Sequence, residues 1–276
     1  MEDPSPEGSL PPWAVIHQTT FLVKLMNRFR PPQTPQASYS LADLACGIGN
    51  HASELVQLNH HVQGYDINPN AVKRARAKVP RGRFDCTDIC DPMGFIAPRK
   101  FDATYLIYGT WCTLSPEKQQ RLMSNVIDQV KPGGLFFFDG FFAQEPTNNP
   151  HGRPSGPVCI WEDSYYSDPG GFWGLIPKKI REREWYYPHE HLYVEDYQVH
   201  GKRFFTWKKP IHPRELPKFQ GFELLDVYAG SYGVSLPSEV QAMTNRNERE
   251  LRPLGEIPWT EQHPWFTGVY RNVTRA

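Results

Sequence analysis

The sequence predicts an α/β protein: a mostly parallel sheet with helices on both faces and an antiparallel β insertion after the fifth strand. Three observations carry that expectation. Short apolar runs alternate with helical patterns between residues 40 and 142, a glycine-rich turn links the first run to the first of those helices, and residues 143–210 change to a two-residue period.

The expected elements follow in order. Residues 1–12 and Pro31-Pro32-Gln33-Thr34-Pro35 read as a tail and a linker. Between them, Trp13 to Phe29 places Ile16, Thr20, Val23 and the Leu22, Leu25, Met26, Phe29 set at helical spacing. Leu41-Ala42-Asp43-Leu44 is a short strand running into Gly47-Ile48-Gly49, and the next helix buries Ala52, Leu55, Val56 and Leu58. His61 to Asp66 is a second strand ending in an acid. Asn68 then caps a helix that has Pro69 at its first position, where the missing N–H costs nothing. Arg83 to Cys86 is a weak third strand and Phe101 to Ile107 a strong fourth. Ser115-Pro116 repeats the cap and opens a helix that buries Leu122, Met123, Val126, Ile127 and Val130. Lys131-Pro132-Gly133-Gly134 stops it, and Leu135 to Asp139 is a fifth, fully buried strand. Two further strands lie at residues 222–228 and 265–270, and a long polar connection between them suits the rim of a site.

Composition narrows the function classes. The 276 residues suit one large domain, or one with an insertion, and 22% charged against 39% hydrophobic residues exclude global disorder. Thirty basic residues balance thirty acidic ones, so the basic excess of a nucleic-acid binder is missing. No run approaches the roughly 18 to 20 apolar residues that span a bilayer. The acidic, proline-rich start is the opposite of a secretory leader. Five unpaired-looking cysteines, with Cys46, Cys86 and Cys112 in apolar contexts, fit reduced core thiols of a cytoplasmic protein. Histidines and acids show no metal spacing, so no metal site is expected.

The chemistry concentrates around the glycine loop. Gly47-Ile48-Gly49-Asn50-His51-Ala52 fits the GxGxx(G/A) pattern, which serves both dinucleotides and methyl donors. Asp43 discriminates between them. A fixed carboxylate there repels a pyrophosphate on the helix N-terminus, and suits the ammonium and sulfonium of S-adenosylmethionine. Asp66, at the end of the second strand, is placed to accept both ribose hydroxyls, with Ile67 beside it. Thr87-Asp88-Ile89 offers Asp88 to an adenine amino group and Ile89 to the ring. His51 reads as a helix-start histidine packed under the loop rather than a base.

Leu41 to Gly49 resembles the first motif of class I S-adenosylmethionine-dependent methyltransferases. Asp66 looks like their ribose acid, Asp88 like their adenine acid, and Val130 to Gly134 like their turn before the fifth strand. Residues 101–114 are similar to the fourth-strand motif of glycine N-methyltransferase and of amino-sugar N-methyltransferases, in which the strand-end backbone, here Ile107 to Gly109, holds the donor's amino group. Ala45 departs from the pattern by replacing its first glycine, a change that is tolerable if its φ is negative. The resemblance implies a Rossmann-like sheet of seven strands, the last antiparallel and inserted between the fifth and sixth. It also implies S-adenosylmethionine as donor and S-adenosylhomocysteine as product.

The expected organisation is then a tail and helix over the donor site (1–39), a donor-binding core (40–142), an antiparallel substrate roof (143–210), and the end of the core with a rim loop (211–276). The roof holds Trp161, Trp173, Trp185 and Trp207 with six tyrosines, which suits stacking or cation–π contact worth roughly 0.5 to 2 kcal/mol each. Trp173 and Tyr186 are expected to face the donor, and Trp111 and Phe141 to line the acceptor pocket. Tyr108, just past the fourth strand, is the first candidate catalytic side chain, and His17 on the N-terminal helix the second. The function expected is methyl transfer to N or O of a small aromatic or amine-containing molecule, in specialised metabolism, with neither nucleic acid nor membrane as partner. Monomer and homodimer both stay open. So do a same-fold enzyme with another outcome such as cyclisation, a non-catalytic donor-binding relative and, behind these, an NAD-dependent oxidoreductase.

Overall fold

Strands buried on both faces need no alternation of apolar and polar residues, and the first and fourth apolar runs show none. The computed structural model describes residues 12–29, 38–92, 95–97, 99–141, 157–166, 178–187, 189–211, 216–229 and 265–274. Helix α1 (Pro12–Phe29) is followed by β1 (Ser40–Leu44), α2 (Asn50–Gln57), β2 (His61–Asp66), α3 (Pro69–Lys78), β3 (Arg83–Cys86) and β4 (Phe101–Leu106). A 3-10 turn (Thr110–Thr113), α4 (Pro116–Gln129) and β5 (Val130–Phe141) complete the alternating part. Then come β6 (Val158–Tyr166), β7 (Lys179–Tyr187), β8 (Leu192–Val199), β9 (Lys202–Lys208), β10 (Phe222–Ala229) and β11 (Trp265–Asn272).

Seven strands form one sheet in the order β10-β11-β5-β4-β1-β2-β3. Strands β1 to β5 pair in parallel, and β11 runs antiparallel to both β5 and β10. The count and the inverted last strand are those the resemblance implied. Chain order reverses between β1 and β4, so the carboxyl ends of these two strands flank the crevice where an open α/β sheet takes its ligand.

The two sheet faces carry separate cores. Leu41, Ala103, Tyr105, Leu135 and Phe137 pack with Phe21, Leu22, Leu25 and Met26 of α1 and with Ala52, Leu55 and Val56 of α2. Ala42, Leu44, Leu106, Phe136 and Phe138 point to the other face, against Leu122, Met123 and Val126 of α4. Both expected caps form: Asn68 accepts from the Asn70 N–H at 3.0 Å, and Ser115 from the Lys118 N–H at 3.3 Å. Caps of this kind stabilise by about 1 kcal/mol each.

Three packing expectations need correction. Leu58 follows the end of α2 and is 50% exposed, because the helix stops one residue before it. Cys86, at the end of edge strand β3, is exposed rather than a core thiol, whereas Cys46 and Cys112 are buried. On α1, Ile16 and Thr20 face outward, and the buried stripe begins at Val15 and includes Gln18 and Thr19.

The insertion is a four-stranded antiparallel sheet, β6-β7-β8-β9. Alternation gives it two unlike faces. One presents Arg181, Arg183, Asp196 and Glu162; Arg203 reaches the buried Asp196, and Arg181–Glu162 and Arg183–Glu162 are more exposed pairs. Exposed pairs like these stabilise little. The other presents Glu182, Glu184 and Tyr186 of β7 opposite Tyr197, Glu195 and Tyr193 of β8, with Lys208 beside Tyr193 on β9. The Lys209 N–H donates to the Cys112 carbonyl at 2.8 Å, which ties the end of β9 to the 3-10 turn after β4.

Candidate active site

The glycine loop is pinned by Asp66. Its Oδ2 accepts from the Gly47 N–H and its Oδ1 from the Asn68 N–H, both at 2.8 Å. Each oxygen keeps a lone pair for a further donor, as two neighbouring ribose hydroxyls require. Gly47 (φ 53°) and Gly49 (φ 77°) are both left-handed. A Cβ added to Gly47 would meet nothing within 4 Å, so the loop bounds open space, whereas one on Gly49 would approach the Ala75 Cβ to 3.1 Å.

Ala45 also has a positive φ, 57°. The negative φ that would make its methyl harmless is therefore absent, and the loop holds an alanine where glycine is favoured. Ala45→Gly is expected to raise stability by about 1 kcal/mol. Denaturant unfolding of the two proteins checks this; equal midpoints would mean that Ala45 is unstrained.

Asp43 is 2% exposed, and its Oδ2 has no hydrogen-bond partner. It stands directly opposite Tyr105 across the β1–β4 ladder, and the Tyr105 hydroxyl is likewise buried without a partner. Burial pushes the Asp43 carboxyl up to about 8; the adjacent Tyr105 hydroxyl acts against the rise, and the Asp66 carboxylate adds to it. An uncompensated buried carboxyl costs stability unless something cationic meets it.

The end of β4 is held by Asp139 of β5, a fully buried acid. Its Oδ2 accepts from the Tyr108 N–H at 2.8 Å and its Oδ1 from the Gly109 N–H at 2.6 Å. Those two charge-assisted bonds offset the strain of consecutive left-handed residues, Tyr108 at φ 73° and Gly109 at φ 68°. An ammonium only donates hydrogen bonds, so the strand-end groups that can receive it are carbonyls. The Tyr108 hydroxyl faces the insertion: burial raises its pKa, Lys208 opposes the rise, and Glu195, Asp139 and Glu182 add to it. It keeps its proton at neutral pH.

The insertion therefore covers the β4 end with its acidic face. Tyr165 donates to Glu182 at 2.7 Å, Tyr197 donates to Glu195 at 2.8 Å, and Lys208 contacts Glu195. Glu182 and Glu184 have no ion pair among the described residues. Burial raises both; hydroxyls (for Glu182) and Lys208 act against this, while Glu195 adds to it.

Around this centre the other expected residues fall unevenly. Ile67 is 66% exposed beside Asp66, and the Thr87 N–H donates to the Asp66 carbonyl at 2.9 Å. For Asp88, burial alone would raise the pKa. The Cys90 N–H at 2.9 Å and Lys118 at 3.4 Å instead hold it below the ordinary carboxylate value. Ile89 is 7% exposed and packs in the α4-side core, so the ring-packing expectation fits Ile67 better. Ile107 is buried and its carbonyl accepts from Thr110.

Trp111 needs a correction. It is fully buried, 4.7 Å from Phe138 and 5.3 Å from Phe219 between ring centroids, so it braces the β4 end instead of walling an open pocket. Tyr186 is buried on the acidic face of the insertion, its ring tilted against that of Tyr193 with 4.9 Å between centroids. Trp173 and the side chains of His17 and Phe141 lie outside the described residues, as does the rim connection. His51 packs under the loop against Gln18 of α1; burial and Lys78 push its pKa down to about 4, leaving it neutral.

The residues that sequence reasoning missed are Asp139, Tyr105, Glu182, Glu184, Glu195 and Lys208. A signal for Asp139 was available, since an acid ending a run of three phenylalanines needs a buried partner. The roof acids alternate with arginines in sequence, so their shared face shows only once the strands pair.

Comparison with known proteins agrees with this geometry. Residues 41–134 match the family model described as a methyltransferase domain. An uncharacterized methyltransferase of Synechocystis is 30% identical over 94 residues, covering 34% of this chain and 43% of that protein. The dTDP-3-amino-3,4,6-trideoxy-alpha-D-glucopyranose N,N-dimethyltransferase of Streptomyces venezuelae is 25% identical over 114 residues, 41% of this chain and 46% of that one. The chain thus spans somewhat under half the length of these curated relatives. Among solved structures, the CcbJ methyltransferase of Streptomyces caelestis superimposes over 99% of this chain and 94% of its own, with a TM-score of 0.66 at 14% identity. Residues 41–134 are thus similar to a methyltransferase domain, and the chain shares its fold with a solved methyltransferase structure.

Proposed function

We propose that this protein transfers the methyl group of S-adenosylmethionine to an amine nitrogen of a small molecule. The observation that carries the reading is Asp43, a buried carboxyl with an unpartnered oxygen at the switch point of the sheet, next to a glycine loop that bounds open space. A cationic ligand satisfies that oxygen as the acid ionises, whereas a pyrophosphate offers it no compensating charge. Asp66 would hold the ribose hydroxyls, Ile67 would shelve the adenine, Asp88 would meet its amino group, and the carbonyls around Ile107 would take the ammonium. Helix α1 would close the site from above.

The bound donor supplies an already activated methyl, so the protein must mainly align the nucleophile and exclude water. The insertion supports an amine acceptor. Glu182 and Glu184 lie on the face turned toward Tyr108 and make no ion pair among the described residues, Lys208 being paired with Glu195. They attract an ammonium, and a carboxyl with a raised pKa can take the proton that an amine must lose before it attacks. Tyr108 would orient that amine as a hydrogen-bond donor or through its ring. The Streptomyces venezuelae relative is named for N,N-dimethylation of an amino sugar, which fits such an acceptor. We place the reaction in specialised metabolism, in the cytoplasm and without nucleic acid. No helix among the described residues is long and apolar enough to cross a membrane.

The test supplies methyl-labelled donor with paired acceptors, amino sugars and aromatic amines against their hydroxyl analogues. Label in the amines alone is the expected result; label only in the hydroxyl compounds would overturn the amine assignment, and cyclised unlabelled product would favour another outcome of the same fold. Tyr108→Phe should lower kcat by about 10- to 100-fold with donor affinity nearly intact. Full activity in that variant would remove the hydroxyl from the mechanism, and loss of donor binding would reassign Tyr108 to donor packing.

A further inference from the structure

We infer that Asp43 and Tyr105 form a proton-exchange pair beneath the donor site: the Asp43 carboxyl is neutral in the ligand-free protein, and a cationic group of the methyl donor displaces its proton to solvent, so that donor uptake and proton release are one event. This rests on the donor reading above and extends it to a residue, Tyr105, that no motif singles out.

Asp43 and Tyr105 are register partners on adjacent parallel strands, 2% exposed each, and both side chains end in an oxygen without a hydrogen-bond partner. Two orphaned oxygens side by side, at the ligand-facing end of the sheet, are what a site looks like when its counterion arrives with the ligand. No cation among the described residues neutralises the carboxylate. The titratable groups that face it are Tyr105 on β4, Asp66 at the end of β2 and the Cys46 thiol in the loop, which burial above all pushes up. Helix α1, on the same sheet face, contributes the buried and uncharged Gln18 and Thr19, and the Thr19 hydroxyl is also unpartnered. His51 on α2 is neutral. Among the described residues, the groups near Asp43 are neutral or anionic, so the neutral acid is its favoured form until a cation binds.

The exchange balances. The carboxylic acid and the cationic donor become a carboxylate–cation pair, and one proton leaves to the buffer. Tyr105 stays protonated throughout, because burial and the neighbouring carboxyl hold its pKa well above the ordinary tyrosine value. Its role is to set how readily Asp43 ionises.

Stability follows the same proton. The folded carboxyl, raised to about 8 from 3.8, retains a proton that the unfolded chain gives up, so its contribution is full below 3.8 and is lost as pH rises through about 8. Ligand-free Asp43→Asn should therefore have a higher Tm than the parent at pH 8, with the gap closing toward pH 4.

The deciding experiment is calorimetric titration of the full chain with S-adenosylmethionine at pH 7, in two buffers of different ionisation enthalpy. About one proton should be released per donor bound, and close to none from Asp43→Asn, whose binding should be weaker. Tyr105→Phe should move the pH midpoint of proton release upward, since its hydroxyl lowers the Asp43 pKa. Titration with S-adenosylhomocysteine identifies the displacing group: release with both ligands assigns the ammonium, and release with the sulfonium ligand alone assigns the sulfur. Binding without proton release, or equal release from Asp43→Asn, overturns the inference while leaving the donor reading standing. No binding of S-adenosylmethionine overturns both. The infrared band of a protonated carboxyl in the ligand-free parent, lost on donor addition, gives a second readout independent of any variant; a band that donor leaves unchanged counts against the pair.

Discussion

Gly47→Val is expected to abolish S-adenosylmethionine binding in a protein that still folds. The space that a Cβ would enter holds no protein atom within 4 Å, so the substitution meets no clash at its Cβ. It costs backbone strain, because a β-branched residue at φ 53° is disfavoured by about 1 to 2 kcal/mol. The branched side chain would fill the volume that the donor needs beside the Asp66 carboxylate. Gly47→Ala separates the two effects, since it carries much of the strain and far less bulk. The measurement is donor titration of all three proteins, with thermal unfolding to confirm the fold. Normal donor affinity in folded Gly47→Val would show that the loop bounds a different site.

Asp66→Ala is the second large effect. Sequence reasoning assigned this acid to the ribose alone, and the structure adds two duties. Its oxygens hold the Gly47 and Asn68 N–H groups, so removal frees the loop as well as the ligand. Charge-assisted contacts to ligand hydroxyls are worth roughly 1.5 to 3 kcal/mol together, an affinity loss of about 10- to 150-fold, and the loosened loop should deepen it. Asp66→Asn should fall between, because its amide can accept from only one of the two N–H groups. Unchanged affinity in Asp66→Ala would count decisively against the ribose assignment.

How much of this was legible in the sequence depends on whether a feature is local. The cap and proline at Asn68-Pro69 and Ser115-Pro116, the apolar runs of β1, β4 and β5, and the glycine loop depend on neighbours a few residues away, and all are found where the pattern places them. Edges and exposures were less legible. Leu58 and Cys86 lie at element ends, where a continued pattern reads as burial but the chain has already turned away. Ala45 could be recognised as a departure from the glycine pattern, yet the sign of its φ is a property of the folded turn.

The site divides in the same way. Asp43 and Asp66 stand next to the loop that marks them. Asp139 reaches the Tyr108 and Gly109 N–H groups from some thirty residues away, and Tyr105 meets Asp43 only through the β1–β4 register. Trp111 shows the opposite error: its position after β4 suggested a pocket wall, but Phe136, Phe138 and Phe219 on neighbouring elements enclose it. The acidic roof needed the pairing of β7 with β8 and the tether from Lys209 to the Cys112 carbonyl before it faced anything.

The central claim is that the crevice at the β1–β4 switch point takes a cationic adenosyl donor and not a pyrophosphate dinucleotide. Parallel calorimetric titrations with S-adenosylmethionine and NAD test it most directly. The account predicts saturable binding of S-adenosylmethionine, weakened at least tenfold by Asp66→Ala, and no binding of NAD. Saturable NAD binding, or a folded protein that takes up no S-adenosylmethionine, would contradict it.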